Sequence, residues 1–319
     1  MLDVRRLRVL REVALRGSLA GAAESLRFTP SAVSQQVAKL EREAGVPLVE
    51  RGPRSVTLTA AGWRLVEHAE SILERLAVAE SELRELAGSP PELRVGANTT
   101  AAVSIIPDAL AHFAAVRPDV EVTVAESDPL ISLAHLCARE LDLAIVFEYD
   151  HVPLPDDPRI ALEVLLEEPM RIVLPAGHPV ARQRAVRLLD LAGETWIRST
   201  PRSSCHPFTE RACRAAGFDP RIRFEFDDYA AMQSLVASGA GVAFAPDMGL
   251  TRVNPGVAVR PIAFGPKRRV HAALRAGEGD SAGVPEMLAA LRESVAAREP
   301  LFPAVAGASV TGSSGRTYP

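Results

Sequence analysis

The sequence predicts an α/β protein in three parts: a small helical head, one long helix, and a body of alternating strands and helices. Three observations carry this. Residues 18–58 read as helix, turn, helix and a Gly- and Pro-punctuated basic hairpin. Apolar residues then recur at alternating spacings of three and four between residues 62 and 86. From Glu92 onward, short apolar runs alternate with helical patterns, which implies a parallel, doubly wound sheet.

The head can be justified residue by residue. Ser18 is a good N-cap for its first helix, and Leu19, Ala22, Ala23 and Leu26 give an apolar face. Thr29 caps the second helix, with Pro30 at its first position, where a missing N–H costs nothing. Val33, Val37, Leu40 and Ala44 mark the buried face. Gly45 ends the helix and Pro47 follows. The opposite face carries Ser31, Ser34, Gln35, Ala38 and Arg42, small and polar as a helix entering a groove must be. Ser34 and Gln35 lie where they can hydrogen-bond base edges. A helix pair alone would fit an ordinary small domain with a solvated face. The basic hairpin with Arg51 and Arg54 turns the reading to a winged helix-turn-helix, a module that places one helix in the major groove. The expected DNA-contacting set is Thr29, Pro30, Ser31, Ser34, Gln35, Lys39, Arg51 and Arg54.

At these residues the chain resembles a family. SLAGAAESLRFTPSAVSQQVAKLEREAGVPLVER, continuing through LTAAGWRL, is similar to the N-terminal domain of LysR-type transcriptional regulators, and a weaker similarity covers most of the next two hundred residues. Val49 departs from the family, which usually has Phe there, and reads as a packing variant. Gln35 stands where a basic residue is common, so the bases read would differ.

Charge agrees. The net charge of −4 over 319 residues hides an asymmetry. Residues 1–58 hold ten Lys/Arg and six Asp/Glu, a net +4, leaving −8 for the remainder. A basic head on an acidic body fits a nucleic-acid reader whose other part binds something else. The N-terminus, MLDVRRLRVLREVALRG, has no signal-peptide core. No stretch approaches a membrane span. Three cysteines are too few for a disulfide framework. A cytoplasmic protein with no membrane contact is expected.

Residues 59–87 read as one helix. Gly62, Leu65, Ala69, Ile72, Leu76, Ala79, Leu83 and Leu86 form a heptad seam. Packing on the chain's own head is one reading of it. Dimerisation through residues 59–87 is the other, favoured by the seam's length and implied by the resemblance. The resemblance also implies that two dimers join into a homotetramer, and that RNA polymerase is a partner if the protein activates. Residues 88–91 are the expected hinge.

The body, 92–300, reads as two lobes. The resemblance implies chain crossings near 165 and 265, giving lobe 1 about 92–165 and 266–300 and lobe 2 about 166–265. Leu93–Val95 is a predicted strand ended by Gly96, followed by a helix over 101–116. Residues 301–319, rich in Pro, Gly, Ser and Thr, are expected to be a disordered tail. Such α/β bodies bind ligands in crevices at strand carboxyl ends, and this one also resembles a periplasmic-binding-protein-like, two-lobed effector domain. The candidate effector contacts are Asn98, Thr99 and Thr100, then Ser127 and Asp128, then Ser199, Thr200, Arg202, Ser203 and Ser204. Each could equally be a helix cap or a solvated loop residue. Pro129 stands where the family often has a hydroxyl residue. A helix start at Thr100 and the Arg202 cation favour an anionic small molecule between the lobes.

Enzymatic motifs fail. Gly239-Ala240-Gly241 opens a GxGxxG, but Phe244 replaces the third glycine, and the segment follows a helix rather than a strand. There is no GxSxG and no GxxxxGK[ST]. Cys205, His206 and Cys213 offer a partial metal or redox set. The plainer alternative places Cys205 and His206 at a helix start with Cys213 on its buried face. No catalytic residue, metal or cofactor is expected. The predicted function is an effector-controlled, DNA-binding transcriptional regulator. A solute-binding protein, or an enzyme fused to a DNA-binding head, is the alternative.

Overall fold

A computed structural model describes residues 1–51, 56–88, 90–279 and 283–298. The wing tip with Arg54, the hinge residue Ser89 and the tail 301–319 lie outside the described residues.

The head opens with a helix that the sequence reading did not assign, α1 (Val4–Arg16), capped by Asp3 and closed by left-handed Gly17. Its buried Leu7, Leu10 and Val13 form the floor of the head core. The next helices follow the sequence closely. For α2 (Leu19–Leu26), the Ser18 hydroxyl accepts from the Gly21 amide. For α3 (Pro30–Ala44), the Thr29 hydroxyl accepts from the Ala32 amide, and Gly45 caps the end at φ 72°. Val33, Val37 and Leu40 are fully buried. The wing is the antiparallel pair β1 (Val49–Arg51) and β2 (Val56–Leu58). Val49 is buried, as a packing variant should be. Glu41 on α3 accepts from the Leu48 and Val49 amides at 2.9 and 3.2 Å, which fixes the wing to the helix.

The long helix α4 (Ala60–Leu86) splits the predicted seam. Its first part packs on the head: Val66 and Ala69 join the head core, with Leu65 partly buried against it. Its second part is uncovered, with Ile72, Leu76, Leu83 and Leu86 between 40% and 84% exposed. The reading of this helix as packed on the chain's own head therefore describes its first half, while its second half presents an apolar stripe to solvent. Gly62 lets α4 meet the wing: a Cβ there would lie 2.1 Å from the Leu48 carbonyl oxygen. Gly62→Ala should therefore destabilise the head by about 2–3 kcal/mol. A denaturation midpoint equal to wild type would show that this contact yields.

The chain divides into two compact units, the head and α4 belonging to the first. Among the described residues, the first comprises 1–167, 199–208 and 268–297, and the second 168–198 and 209–267. Residues 199–208 thus group with the first unit, although the sequence placed them in lobe 2. In the first unit, β3 (Glu92–Ala97) leads to α5 (Thr99–Ser104), α6 (Ile106–Val116), β4 (Glu121–Glu126), α7 (Pro129–Cys137) and β5 (Leu143–Tyr149). β3 pairs in parallel with both β4 and β5. Gly96 lies inside β3 rather than ending it, because Leu141 occupies the space a Cβ would need. The predicted helix over 101–116 is two helices broken at Ile105.

The strand β6 (Ile160–Pro175) carries the chain onward, followed by β7 (Thr195–Arg198), α8 (His206–Ala215), β8 (Arg221–Glu225), α9 (Tyr229–Ala237), β9 (Val242–Pro246), β10 (Val257–Pro261), β11 (Lys267–Arg275) and α10 (Val284–Ala296). In the second unit β7 pairs in parallel with β8 and β9, while β6 runs antiparallel to β9 and β10. In the first unit β11 runs antiparallel to β5. Each unit is thus a βαβ core with antiparallel additions, where a purely parallel sheet was expected. An antiparallel strand on such a sheet needs no helical crossover.

Candidate nucleic-acid interface and effector loops

On α3 one face is presented outward. Thr29, Pro30, Ser31, Gln35, Lys39 and Arg42 are exposed and Ser34 is half-buried. Their neighbours on the helix are already committed. Gln36 accepts from the Arg6 Nε at 3.2 Å, and Glu43 pairs with Arg6 and accepts from the Asp3 amide. Among the described residues the Gln35 side chain has no hydrogen-bond partner, so its amide can serve an external edge of donors and acceptors. Lys39 and Arg42 leave the face positive. Arg51 closes β1.

The candidate effector loops are more self-satisfied than their sequence suggests. Asn98 is buried, and both ends of its side-chain amide are engaged. Its Nδ2 donates to the Ile145 carbonyl at 3.1 Å, and its Oδ1 accepts from the Ala101 amide at 3.1 Å and the Thr100 hydroxyl at 2.7 Å. Thr100 thus spends its proton on Asn98 and keeps only acceptor capacity. Thr99, exposed, donates to Glu126 at 2.5 Å. Because α5 has only six residues, it brings little helix dipole to this loop.

The other two loops meet. The Asp128 Oδ1 caps α7 by accepting from the Leu130 amide. Its Oδ2 accepts from both the amide and the hydroxyl of Ser204 at 2.8 Å. The Ser127 amide donates to the Ala97 carbonyl at 2.9 Å, and its hydroxyl makes a long 3.4 Å contact with the Asp128 carbonyl. The Ser203 hydroxyl accepts from the Cys205 amide, the Ser203 amide donates to the Thr200 carbonyl, and His206 Nδ1 lies 2.9 Å from the Ser199 carbonyl. Arg202 is exposed and 3.9 Å from Glu24. The structure thus gathers Asp128, Ser203 and Ser204, and holds Asn98 with Thr100. For an anionic ligand, Arg202 remains favourable while the Asp128 carboxylate is opposed to it.

Behind these loops lies a cluster the sequence reading missed. Tyr149 stacks on Phe208 at 4.2 Å, Phe147 meets Tyr149 edge-on at 5.5 Å, and the fully buried Arg268 sits 5.1 Å from the centre of the Phe147 ring. The alternating aromatics of LDLAIVFEYD were the available signal; their stacking on residue 208 was not. Cys205 Sγ lies 3.2 Å from the Tyr149 hydroxyl. Burial pushes the thiols of Cys205, Cys137 and Cys213 up, the last two to about 11 and about 12, so none is an activated thiolate. His206 opens α8 and Cys213 is buried on it, as the plainer reading held.

The family model described as bacterial regulatory helix-turn-helix protein, lysR family, matches residues 4–63, and the LysR substrate binding domain matches residues 87–296. The chain belongs to the LysR family. Among its relatives, the uncharacterized HTH-type transcriptional regulator YcgK of Bacillus subtilis (strain 168) is 31% identical over 289 residues, covering 84% of this chain and 87% of the relative. The transcriptional dual regulator GltC of the same organism is 28% identical, covering 82% and 87%. A solved structure of a Corynebacterium glutamicum OxyR C206 mutant superposes with a TM-score of 0.55 at 25% identity, covering 93% of each chain. This LysR-family protein is a DNA-binding transcriptional regulator with an effector-binding domain, and regulators of the family form oligomers. The solute-binding alternative is set aside by the matched DNA-binding head. No helix among the described residues is long and apolar enough to cross a membrane.

Proposed function

We propose that this regulator reads double-stranded DNA with the face of α3 that carries Thr29, Pro30, Ser31, Ser34, Gln35 and Lys39. Arg51 and Arg54 of the wing would contact phosphates or a minor groove. The observation that carries the reading is the contrast on one helix: Gln36 and Glu43 are tied down, while Gln35 is exposed and, among the described residues, its side chain has no hydrogen-bond partner. A gel shift with DNA from upstream of its own gene tests it. Binding of an unrelated duplex with equal affinity at physiological salt would count against specific reading.

The effector is a small polar molecule held by the loops at 98–100, 127–128 and 199–204, all of which belong to the first unit. The anionic preference read from the sequence retains Arg202 alone and is opposed by Asp128. The protein acts in the cytoplasm, as a regulator rather than an enzyme. The uncovered second half of α4 pairs two subunits, two such dimers form a tetramer, and RNA polymerase is the further partner if the protein activates.

Thr100→Val preserves shape and removes the hydroxyl. It should lower effector affinity by about 1 kcal/mol, roughly fivefold, with basal DNA affinity retained. Native mass spectrometry of protein purified from its host reads this as a reduced fraction carrying added small-molecule mass. Equal retention by wild type and variant would remove Thr100 from the site.

A further inference from the structure

An ionic cluster joins the DNA-binding head to the effector-binding part of the same unit. From α1, Arg11 is 1% exposed, and its Nη2 lies 2.6 Å from Glu140 Oε2 and 3.3 Å from Glu12 Oε1. Arg8 reaches the same Glu140 at 3.0 Å, and Arg16 lies 3.5 Å from Glu12. From α7, His135 stands between the two carboxylates, 3.4 Å from Glu12 and 3.2 Å from Glu140. Burial pushes the Glu12 carboxyl up, but His135, Ser25 and Arg11 outweigh that and hold it at about 2. Glu12, His135 and Glu140 have the spacing of metal ligands. The buried Arg11 guanidinium already supplies a cation among them, so the group reads as an ion-pair junction.

The junction sits at one end of α7. At the other end, Asp128 caps the helix and grips Ser204 through two 2.8 Å hydrogen bonds. Nine residues of helix span about 13 Å. We propose that α7 is a rigid rod coupling the 199–205 loop to α1 of the DNA-binding head, clamped by Asp128–Ser204 at one end and by Arg11–Glu140 and Glu12–His135 at the other. This rests on the regulator reading and names the regulation of its effector loops.

Two features suit α7 to that task. Its buried Leu133 and Leu136 pack in the same core as Leu141, Ala144 and Val146, so it shifts as a body rather than bending. Beside the junction the packing is incomplete: a crevice of about 310 Å³ separates Leu15, Arg16 and Ser25 of the head from Ile131 of α7 and Arg202. Tight ionic contact next to open space allows two discrete arrangements, which coupling between sites requires. Each cation at the junction has a carboxylate partner, so parting it exposes several charges at once.

Coupling is reciprocal, so DNA can serve as the probe while the effector is unidentified. Amide hydrogen exchange of the full chain is followed with and without the duplex from upstream of its own gene. In wild type, the duplex should change exchange at residues 199–205 by about fivefold or more. In Glu140→Gln the duplex should still bind, and the change at 199–205 should fall below twofold. Asp128→Asn keeps a capping side chain but removes the charge that grips Ser204, so it should uncouple the loop in the same way and stands in if Glu140→Gln fails to fold. A loop that ignores DNA in wild type, or responds equally in a folded variant, overturns the proposal. A wild-type protein that binds no DNA in the gel shift overturns the regulator reading itself, and the coupling with it.

Discussion

Leu76→Asp is expected to halve the mass of the assembly in sedimentation velocity and to weaken operator binding by a hundredfold or more. Leu76 is 42% exposed in the single chain, on the uncovered half of α4. A charge there does not disturb the head core, so circular dichroism and thermal unfolding of the head should be unchanged. In a paired seam the same carboxylate would face apolar side chains of the partner helix, and an unpaired buried charge costs about 3–5 kcal/mol. That is a loss of more than a hundredfold in association. Operator affinity falls with it, because two linked heads bind two half-sites at an effective concentration that a lone head lacks. An oligomer of unaltered mass would assign the exposed stripe some other role.

Gln35→Ala is expected to remove about 1–3 kcal/mol of discrimination at one base pair, roughly five- to more than a hundredfold, while leaving affinity for unrelated DNA unchanged. Its side-chain amide offers a donor and an acceptor together, the pattern that pairs with the adenine edge in the major groove. Arg54→Ala should behave oppositely: every sequence weakens alike, and the slope of affinity against salt falls by about one counterion. Competition gel shifts over single-base operator variants separate the two. Unchanged relative affinities for Gln35→Ala would mean that another face of α3 enters the groove.

The head was legible because its signals are local. Thr29, Pro30 and Gly45 declare the start and end of α3 within a few residues, and the structure uses each of them so. α1 went unassigned although Leu7, Leu10 and Val13 have helical spacing, because five arginines crowd the same stretch and mask its apolar face. Gly96 looked like a strand end because its reason for being glycine, the Leu141 side chain, comes 45 residues later.

By itself the sequence determined the helix-turn-helix with its caps, the long helix, the alternation of strands and helices in the body, and the family. All of these rest on local periodicity, capping and turn chemistry, which a chain carries before it folds. Only the tertiary structure decided which half of the α4 seam is covered, that Asp128 is spent on Ser204, that Thr100 is spent on Asn98, and that Arg11 meets Glu140. The Asp128 and Arg11 contacts join residues 76 and 129 positions apart. Partner choice at such separations is set by which surfaces pack together and which buried charges must then be satisfied, a property of the assembled core and of no segment within it.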